Sequence, residues 1–445
     1  MSFDEPNTLA ARGAELHAYC REVRAGYPPG RGDGLSPSFR DVVVILASSR
    51  GGSSLLFDIL RSTGAFLSLR GEHSTLYKLN GLGLPDDPDA HDGTIAPGGD
   101  PGGFLEALRA EVTTGLIGRQ PSVRPDAKTQ AGAVLRTLAQ QWPGCPFGVA
   151  EAWEIVYRAI CRVTDRGYPS AEYLLLQVIR QLRDCGWQID PGYYDIAPAL
   201  VREEFPELPR PVGPPSPDTK TLEAPPFLVP ATAETLTEAD LDRPLLLKAS
   251  LDAYRIPLLH EIFPTSRLRF IHLTRNPAAA INGLVDGWLD RGFYSHNLSQ
   301  AARLAIDGYS ELGSWGSSWW NFDLPPGWRD LVNLPLPLVC AGQWLGAHST
   351  ILSNLPGAGV DVLQVRAEDV LQADRRAGTV SRILQYCGVT PLVAPTARVV
   401  MATKPPLPGR WRERGELLGP VLADPEIRAC SARLGYGQDA NRDWT

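Results

Sequence analysis

No apolar run in this sequence reaches membrane-spanning length, and no basic-then-apolar segment resembles an export signal, so a cytoplasmic protein with no membrane partner is expected. No C-x-x-C pair occurs. Cys20, Cys145, Cys161, Cys185, Cys340, Cys387 and Cys430 are scattered and odd in number, which reads as reduced, mostly buried thiols rather than a zinc site or a disulfide framework. There is no excess of positive charge: 43 Lys and Arg stand against 50 Asp and Glu, a net charge of −7, so neither nucleic acid nor an anionic membrane is an expected partner. No Gly-Lys dipeptide is present either. A Walker A loop requires one, and an ordinary ATP or GTP kinase is disfavoured. No internal repeat is found.

What remains is the composition of a globular protein, 43% hydrophobic and 21% charged, in a chain of 445 residues with room for more than one domain or a large insertion. The organising stretch is DVVVILASSRGGSSLLFDILRSTGAFLSLRGEH, residues 41 to 73. Val42 to Leu46 is a continuous β-branched run suited to a strand buried on both faces. It turns on Ala47, Ser48, Ser49, Arg50, Gly51, Gly52, Ser53 and Ser54, and Leu55, Leu56, Ile59 and Leu60 then take helical spacing. A strand entering a helix through a Gly/Ser turn aims backbone N–H groups and the positive end of a helix dipole at one spot, which suits phosphate or sulfate.

Before this stretch, residues 7 to 25 carry apolar positions at helical intervals. After it, residues 80 to 102 read as loop, and helical patterns follow at 102–118, 131–141, 149–162 and 169–186. Residues 205–230 are too proline-rich for regular structure. The α/β pattern resumes with LLLKAS at 245–250 and a helix, then with the strand 268–273, a turn and a helix opening on Pro277. A strand follows in 360–371, a helix in 381–389 and a terminal helix near the end. Strand-helix alternation of this kind implies a parallel sheet with right-handed crossovers. The expected organisation is a leading helix and loop (1–40), the first part of an α/β core (41–75), a mainly helical insertion with a proline-rich linker (76–243), the remainder of the core (244–436) and a tail (437–445).

Four motifs together resemble the PAPS-dependent sulfotransferases, in the order that family uses them; PAPS is 3′-phosphoadenosine 5′-phosphosulfate. Ser49 to Ser54 resemble the 5′-phosphosulfate loop, with Arg50, Gly51, Gly52, Ser53 and Ser54 matching its donor-binding positions. FIHLTRNPAAAINGL resembles the 3′-phosphate motif, with Arg275 as the gripping arginine. VLQVRAEDVL resembles the strand ending in Glu-Asp-Leu, and there Glu368 and Asp369 read as braces of a loop. KPPLPGRWRER resembles the C-terminal loop that closes on the nucleotide, bringing in Arg410 and Arg412. The resemblance covers 41–75 and 244–436 and departs from the family at Gly283, where a Ser is usual; Asn282 adjoins it and offers an amide, turned about 100° away on a helix.

The resemblance implies a P-loop-like parallel sheet flanked by helices and transfer of a sulfuryl group from PAPS, without a metal, to a hydroxyl or phenol of a small-molecule acceptor. It also implies a general base in Gly71-Glu72-His73, Glu72 first and His73 as the alternative, and a charge on the leaving phosphate from Lys248. Trp315, Trp319 and Trp320 are candidates for an acceptor wall, although aromatic clusters more often form cores; His260 and His272 read as core histidines. Two other readings remain open at this point, a different nucleotide donor on the same fold and a non-catalytic nucleotide-binding protein.

Overall fold

The computed structural model describes residues 36–83, 89–95, 97–113, 127–165, 170–215, 222–230, 238–290, 292–355, 362–397, 401 and 403–437. The helix expected at 7–25 and the tail beyond residue 437 lie outside them. The chain divides into two compact units, one of Met1–Ser38, Ser68–Asp86 and Ala96–Asp242, the other of Phe39–Leu67, Asp87–Ile95 and Arg243–Thr445.

In chain order, β1 is Asp41–Leu46, α1 Ser53–Ser62 and β2 Leu67–Ser68. The helical unit then supplies α2 (Ser74–Leu79), α3 (Pro101–Thr113), α4 (Ala127–Gln141), α5 (Ala150–Asp165), α6 (Ala171–Asp184) and α7 (Pro198–Glu204). The sheet resumes with β3 (Leu245–Lys248), α8 (Ile256–Ile262), β4 (Arg267–Thr274) and α9 (Pro277–Leu289). After them come the ribbon strands β5 (Tyr294–Asn297) and β6 (Trp319–Asn321), then α10 (Leu336–Asn354), β7 (Val362–Arg366), α11 (Ala367–Leu371) and α12 (Ala373–Cys387). Two helices close the described chain, α13 (Gly415–Leu422) and α14 (Pro425–Arg433).

Five strands form one sheet in the order β2-β3-β1-β4-β7. β1 pairs in parallel with both β3 and β4, and β4 in parallel with β7. Because β1 is central and covered on both faces, Val42 to Leu46 are fully buried, which is why this strand is an unbroken apolar run rather than an alternating one. The sheet therefore is the α/β, parallel, helix-flanked core that the strand-helix alternation predicts. Parallel pairing carries the functional consequence: the chain leaves β1, β3, β4 and β7 at the same edge, so residues distant in sequence meet there. The register puts Ile45 beside Lys248 and Thr274 beside Arg366.

In the helical unit, α4, α5 and α6 bury one apolar stripe each. Val134, Leu138, Val156, Ile160, Leu175, Val178, Ile179 and Leu182 meet in a single core, closed by Tyr194 and Phe227. The Ser170 hydroxyl accepts from the Tyr173 N–H and caps α6. The helical unit differs from the expected 76–243 insertion in two respects. It also includes residues 1–38 and 68–75, and residues 87–95 leave it for the sheet unit, where Asp92 accepts from the Leu324 N–H at 2.7 Å. That exchange is a long-range hydrogen bond, invisible to a local pattern. No helix among the described residues is long and apolar enough to cross a membrane.

Candidate anion-binding site

The turn after β1 is shaped by two glycines. A Cβ on Gly51 would lie 2.8 Å from the Ser48 carbonyl oxygen, which the Gly51 N–H approaches as a hydrogen-bond donor, and Gly52 sits at φ +94°, a left-handed conformation open to glycine. Arg50, just before them, also has a positive φ, 61°. α1 begins directly after Gly52 with no side-chain cap. Its first-turn N–H groups have no intrahelical acceptor, and with the helix dipole they give this turn the donors and partial positive charge that suit an anion.

Two cationic side chains reach the loop. Lys248, buried at the end of β3, donates through Nζ to the Ser54 hydroxyl at 2.9 Å. Arg275, in the turn after β4, donates through Nη1 to the Arg50 carbonyl at 2.8 Å. Burial pushes the Arg275 guanidinium below its ordinary pKa, a shift that the carboxylate of Glu368 opposes; an arginine in this setting stays charged. Arg50 itself reaches the C-terminal segment, donating to the Met401 carbonyl at 2.6 Å and the Thr403 hydroxyl at 3.1 Å, with its guanidinium 5.3 Å from the Phe293 ring centre.

Glu368 holds this corner together. Its carboxylate accepts from the Asn276 N–H at 2.8 Å and the Tyr436 hydroxyl at 2.9 Å, so it braces the turn that presents Arg275. Burial raises its pKa and these hydrogen bonds oppose the rise. Asp369 pairs with Arg375 at 3.2 Å instead.

On α9, the buried carboxylate of Asp286 gathers Arg410, Arg414 at 2.8 Å and Lys404 at 3.5 Å. Burial acts to raise its pKa, but the hydrogen bonds and charges of Arg410 and Arg414 bring it below the usual carboxylate range. Asn282, one turn earlier, accepts from Arg414 at 2.6 Å, so its carbonyl is engaged with the C-terminal segment. Gly283 faces the two loop arginines: a Cβ there would lie 3.4 Å from Arg50 Cβ and 3.7 Å from Arg275 Nη1. Arg412 stands over Trp411, 5.6 Å from its ring centre.

No family model and no curated protein matches the sequence. Among solved structures, the chain is similar to the sulfotransferase domain from the Synechococcus PCC 7002 olefin synthase, at 13% identity over 92% of this chain and 97% of that one, with a TM-score of 0.30.

Arg50 to Ser54, Lys248, Arg275, Asn282, Gly283 and Arg410 thus belong to the sheet unit, and contacts link them around the loop. Glu72 and His73 belong to the helical unit. There Glu72 is exposed and accepts from the Ser74 hydroxyl at 3.2 Å, while His73 is buried, 3.3 Å from the Tyr77 hydroxyl and packed against Phe104. The tryptophans expected on an acceptor wall differ from that expectation. Trp319 and Trp320 are only 1% and 0% exposed, with Trp320 edge-on to Trp288 and Trp328 and Trp319 against Tyr294. They fill the core around the β5-β6 ribbon, because burying both faces of an indole gains more than leaving it open. Trp315 is partly covered, against Tyr294 and Tyr309.

Sequence reasoning missed Asp286, Lys404 and Arg414. Asp286 lies one turn beyond Gly283 on the same helix face, and its charge within an otherwise apolar helix was an available signal. Among the described residues no group of three His, Cys, Asp or Glu side chains is arranged to hold a metal.

Proposed function

We propose that this chain transfers a sulfuryl group from PAPS to a hydroxyl or phenol of a small-molecule acceptor. What carries the reading is the convergence of Lys248 and Arg275 on an uncapped helix N-terminus whose turn requires Gly51 and Gly52. Such a cradle suits a tetrahedral dianion, and the flanking cations suit a ligand with a second phosphate.

In this reading the acceptor oxygen forms a bond to sulfur as the bond from sulfur to the 5′-phosphate oxygen breaks. The acceptor proton passes to the carboxylate of Glu72, and the electron pair leaves with the phosphate. Sulfuryl transfer makes the same demands as phosphoryl transfer, an in-line geometry and stabilisation of dispersed negative charge. Loop N–H groups, Ser53 and Ser54 supply donors for the transferring group; Lys248 supplies a point charge for the leaving oxygen. Arg275 is assigned to the 3′-phosphate, together with Arg410 and Arg412 from the C-terminal segment. Glu72 is preferred over His73 as the base because it is exposed, whereas the His73 ring is enclosed by Tyr77 and Phe104.

The test is ligand-dependent melting. Adenosine 3′,5′-bisphosphate is expected to raise the melting temperature, since a ligand of the native state at one hundred times its Kd stabilises by about 2.7 kcal/mol. ATP at the same concentration is expected to do less. Equal shifts would remove the PAPS assignment and favour another nucleotide donor. Mass-shift screening of acceptors with PAPS then identifies the hydroxyl substrate.

A further inference from the structure

The segment 403–414, with Met401 before it, is held on the sheet unit from two sides. Arg50 reaches it from the loop, donating to the Met401 carbonyl and the Thr403 hydroxyl. On the other side α9 holds it through two acceptors one turn apart. Asn282 and Asp286 share Arg414, at 2.6 and 2.8 Å, and Asp286 also takes Arg410 and Lys404. The Asp286 side chain is fully buried, whereas Lys404 is half exposed. Burial acts to raise the Asp286 pKa, yet the hydrogen bonds and charges of Arg410 and Arg414 outweigh it, so the carboxylate stays ionised.

The place of this carboxylate on α9 gives it a second consequence. Position 283, one turn earlier on the same face, adjoins Arg275: a Cβ there would lie 3.7 Å from Arg275 Nη1. Side chains three apart on a helix are neighbours, with about 5–6 Å between their Cβ atoms. A phosphate drawn to Arg275 over Gly283 therefore comes within about one helical turn of a full negative charge. Arg410, assigned above to that phosphate, is already paired with the same carboxylate. A neutral acceptor at 286 would tie the segment to α9 by hydrogen bonds alone; a carboxylate ties it and also opposes a dianion.

We propose that Asp286 is a specificity-determining residue, an internal anion that occupies the arginines of the C-terminal segment and lowers the preference of the site for a nucleotide with a phosphate on its ribose. The inference rests on the function proposed above in placing the ribose beside Arg275; it does not depend on the sulfuryl chemistry. Asp286, rather than a ligand's second phosphate, ties the segment to α9, so nucleotides with and without that group meet the same docked segment. Two costs then fall on the ribose phosphate alone, repulsion by Asp286 and competition with it for Arg410 and Arg414.

Titration calorimetry of the full chain with adenosine 3′,5′-bisphosphate and with adenosine 5′-phosphate isolates these costs, because the ratio of the two Kd values cancels whatever both ligands share. Asp286→Asn is expected to raise the preference for the bisphosphate by about tenfold, the repulsion of a unit charge and a dianion about 6 Å apart at the dielectric constant of water. Asp286→Glu, which keeps the charge, should leave the ratio near that of wild type. A purely structural tie would lower the melting temperature of Asp286→Asn and leave its ratio unchanged. Equal binding of the two nucleotides by wild type, with the bisphosphate preferred by Asp286→Asn, would leave this proposal standing and count against the PAPS reading. A ratio that stays level or falls in Asp286→Asn, or that rises equally in Asp286→Glu, would overturn the proposal; binding of neither nucleotide would remove it together with the PAPS reading. If Asp286→Asn fails to fold, Arg414→Gln is compared with the Asp286→Asn, Arg414→Gln double variant, which loses a cation along with the carboxylate, and an unchanged ratio there overturns the proposal as well.

Discussion

Arg275 donates to the main-chain carbonyl of Arg50 at 2.8 Å, so the arginine that follows β4 also fixes the turn that follows β1. A residue assigned to one phosphate thereby braces the cradle assigned to another group. Arg275→Ala is expected to weaken adenosine 3′,5′-bisphosphate by about tenfold or more, as the loss of a hydrogen bond to a charged group implies. Adenosine 5′-phosphate should weaken less, because only the brace is lost to it. Equal losses in the two Kd values would reduce Arg275 to a brace alone.

Gly283 adjoins both arginines with room for one methylene. Gly283→Ser should place a hydroxyl beside Arg275 and tighten the bisphosphate several-fold while leaving adenosine 5′-phosphate unchanged, as a net hydrogen bond of about 1 kcal/mol would do. Weaker binding of both ligands would mean that the Cβ displaces Arg50 instead.

For the base, Glu72→Gln is expected to lower turnover by about 10²-fold or more with donor affinity preserved, since general-base assistance is worth about 10² to 10⁴. His73→Gln should act differently, lowering the melting temperature because the imidazole is packed against Tyr77 and Phe104. Turnover per folded molecule separates the two effects, and the reverse ranking would move the role to His73.

The C-terminal segment is tied to α9 by three cations on one carboxylate. Asp286→Asn should destabilise the protein by about 3 kcal/mol, the lower range for breaking a buried ion pair. Protease digestion should then cleave the segment around 401–414 faster than in wild type. An unchanged melting temperature would show that the three cations find water as good a partner.

Two histidines predict an acid limit. His272 on β4 and His348 on α10 are buried 3.0 Å apart, and burial pushes His272 down to about 4 and His348 well below its ordinary value. Unfolded histidine takes a proton below about 6.5 that the folded pair refuses, so stability should fall as pH drops from 6.5 toward 4. Asp323 acts in the opposite sense, because its folded carboxyl, raised from 3.8 to about 6, keeps a proton that the unfolded chain gives up, and this contribution fades as pH rises through 6. Melting temperatures between pH 7.5 and 4.5, for wild type and His348→Leu, measure the balance. A wild-type melting temperature that does not fall toward pH 4.5 would contradict the histidine assignment.

The central strand, the loop and the order of elements were legible in the sequence for local reasons. Val42 to Leu46 is a short β-branched run of the kind a doubly covered strand needs, Gly51 and Gly52 mark a tight turn, and Pro277 after Arg275-Asn276 opens a helix. Parallel pairing then brings Lys248 and Arg275 to the loop, since strands in such a sheet end at one edge. Other features were decided only by tertiary structure. Burial turned Trp319 and Trp320 inward, a choice that depends on Trp288, Trp328 and Tyr294 from other segments. The return of residues 87–95 to the sheet unit and the gathering of Lys404, Arg410 and Arg414 on Asp286 both join residues far apart in the chain. Periodicity and turn chemistry report on a few neighbouring residues. A buried charge finds its partners through the fold, because only a desolvated site makes that pairing worth its entropy.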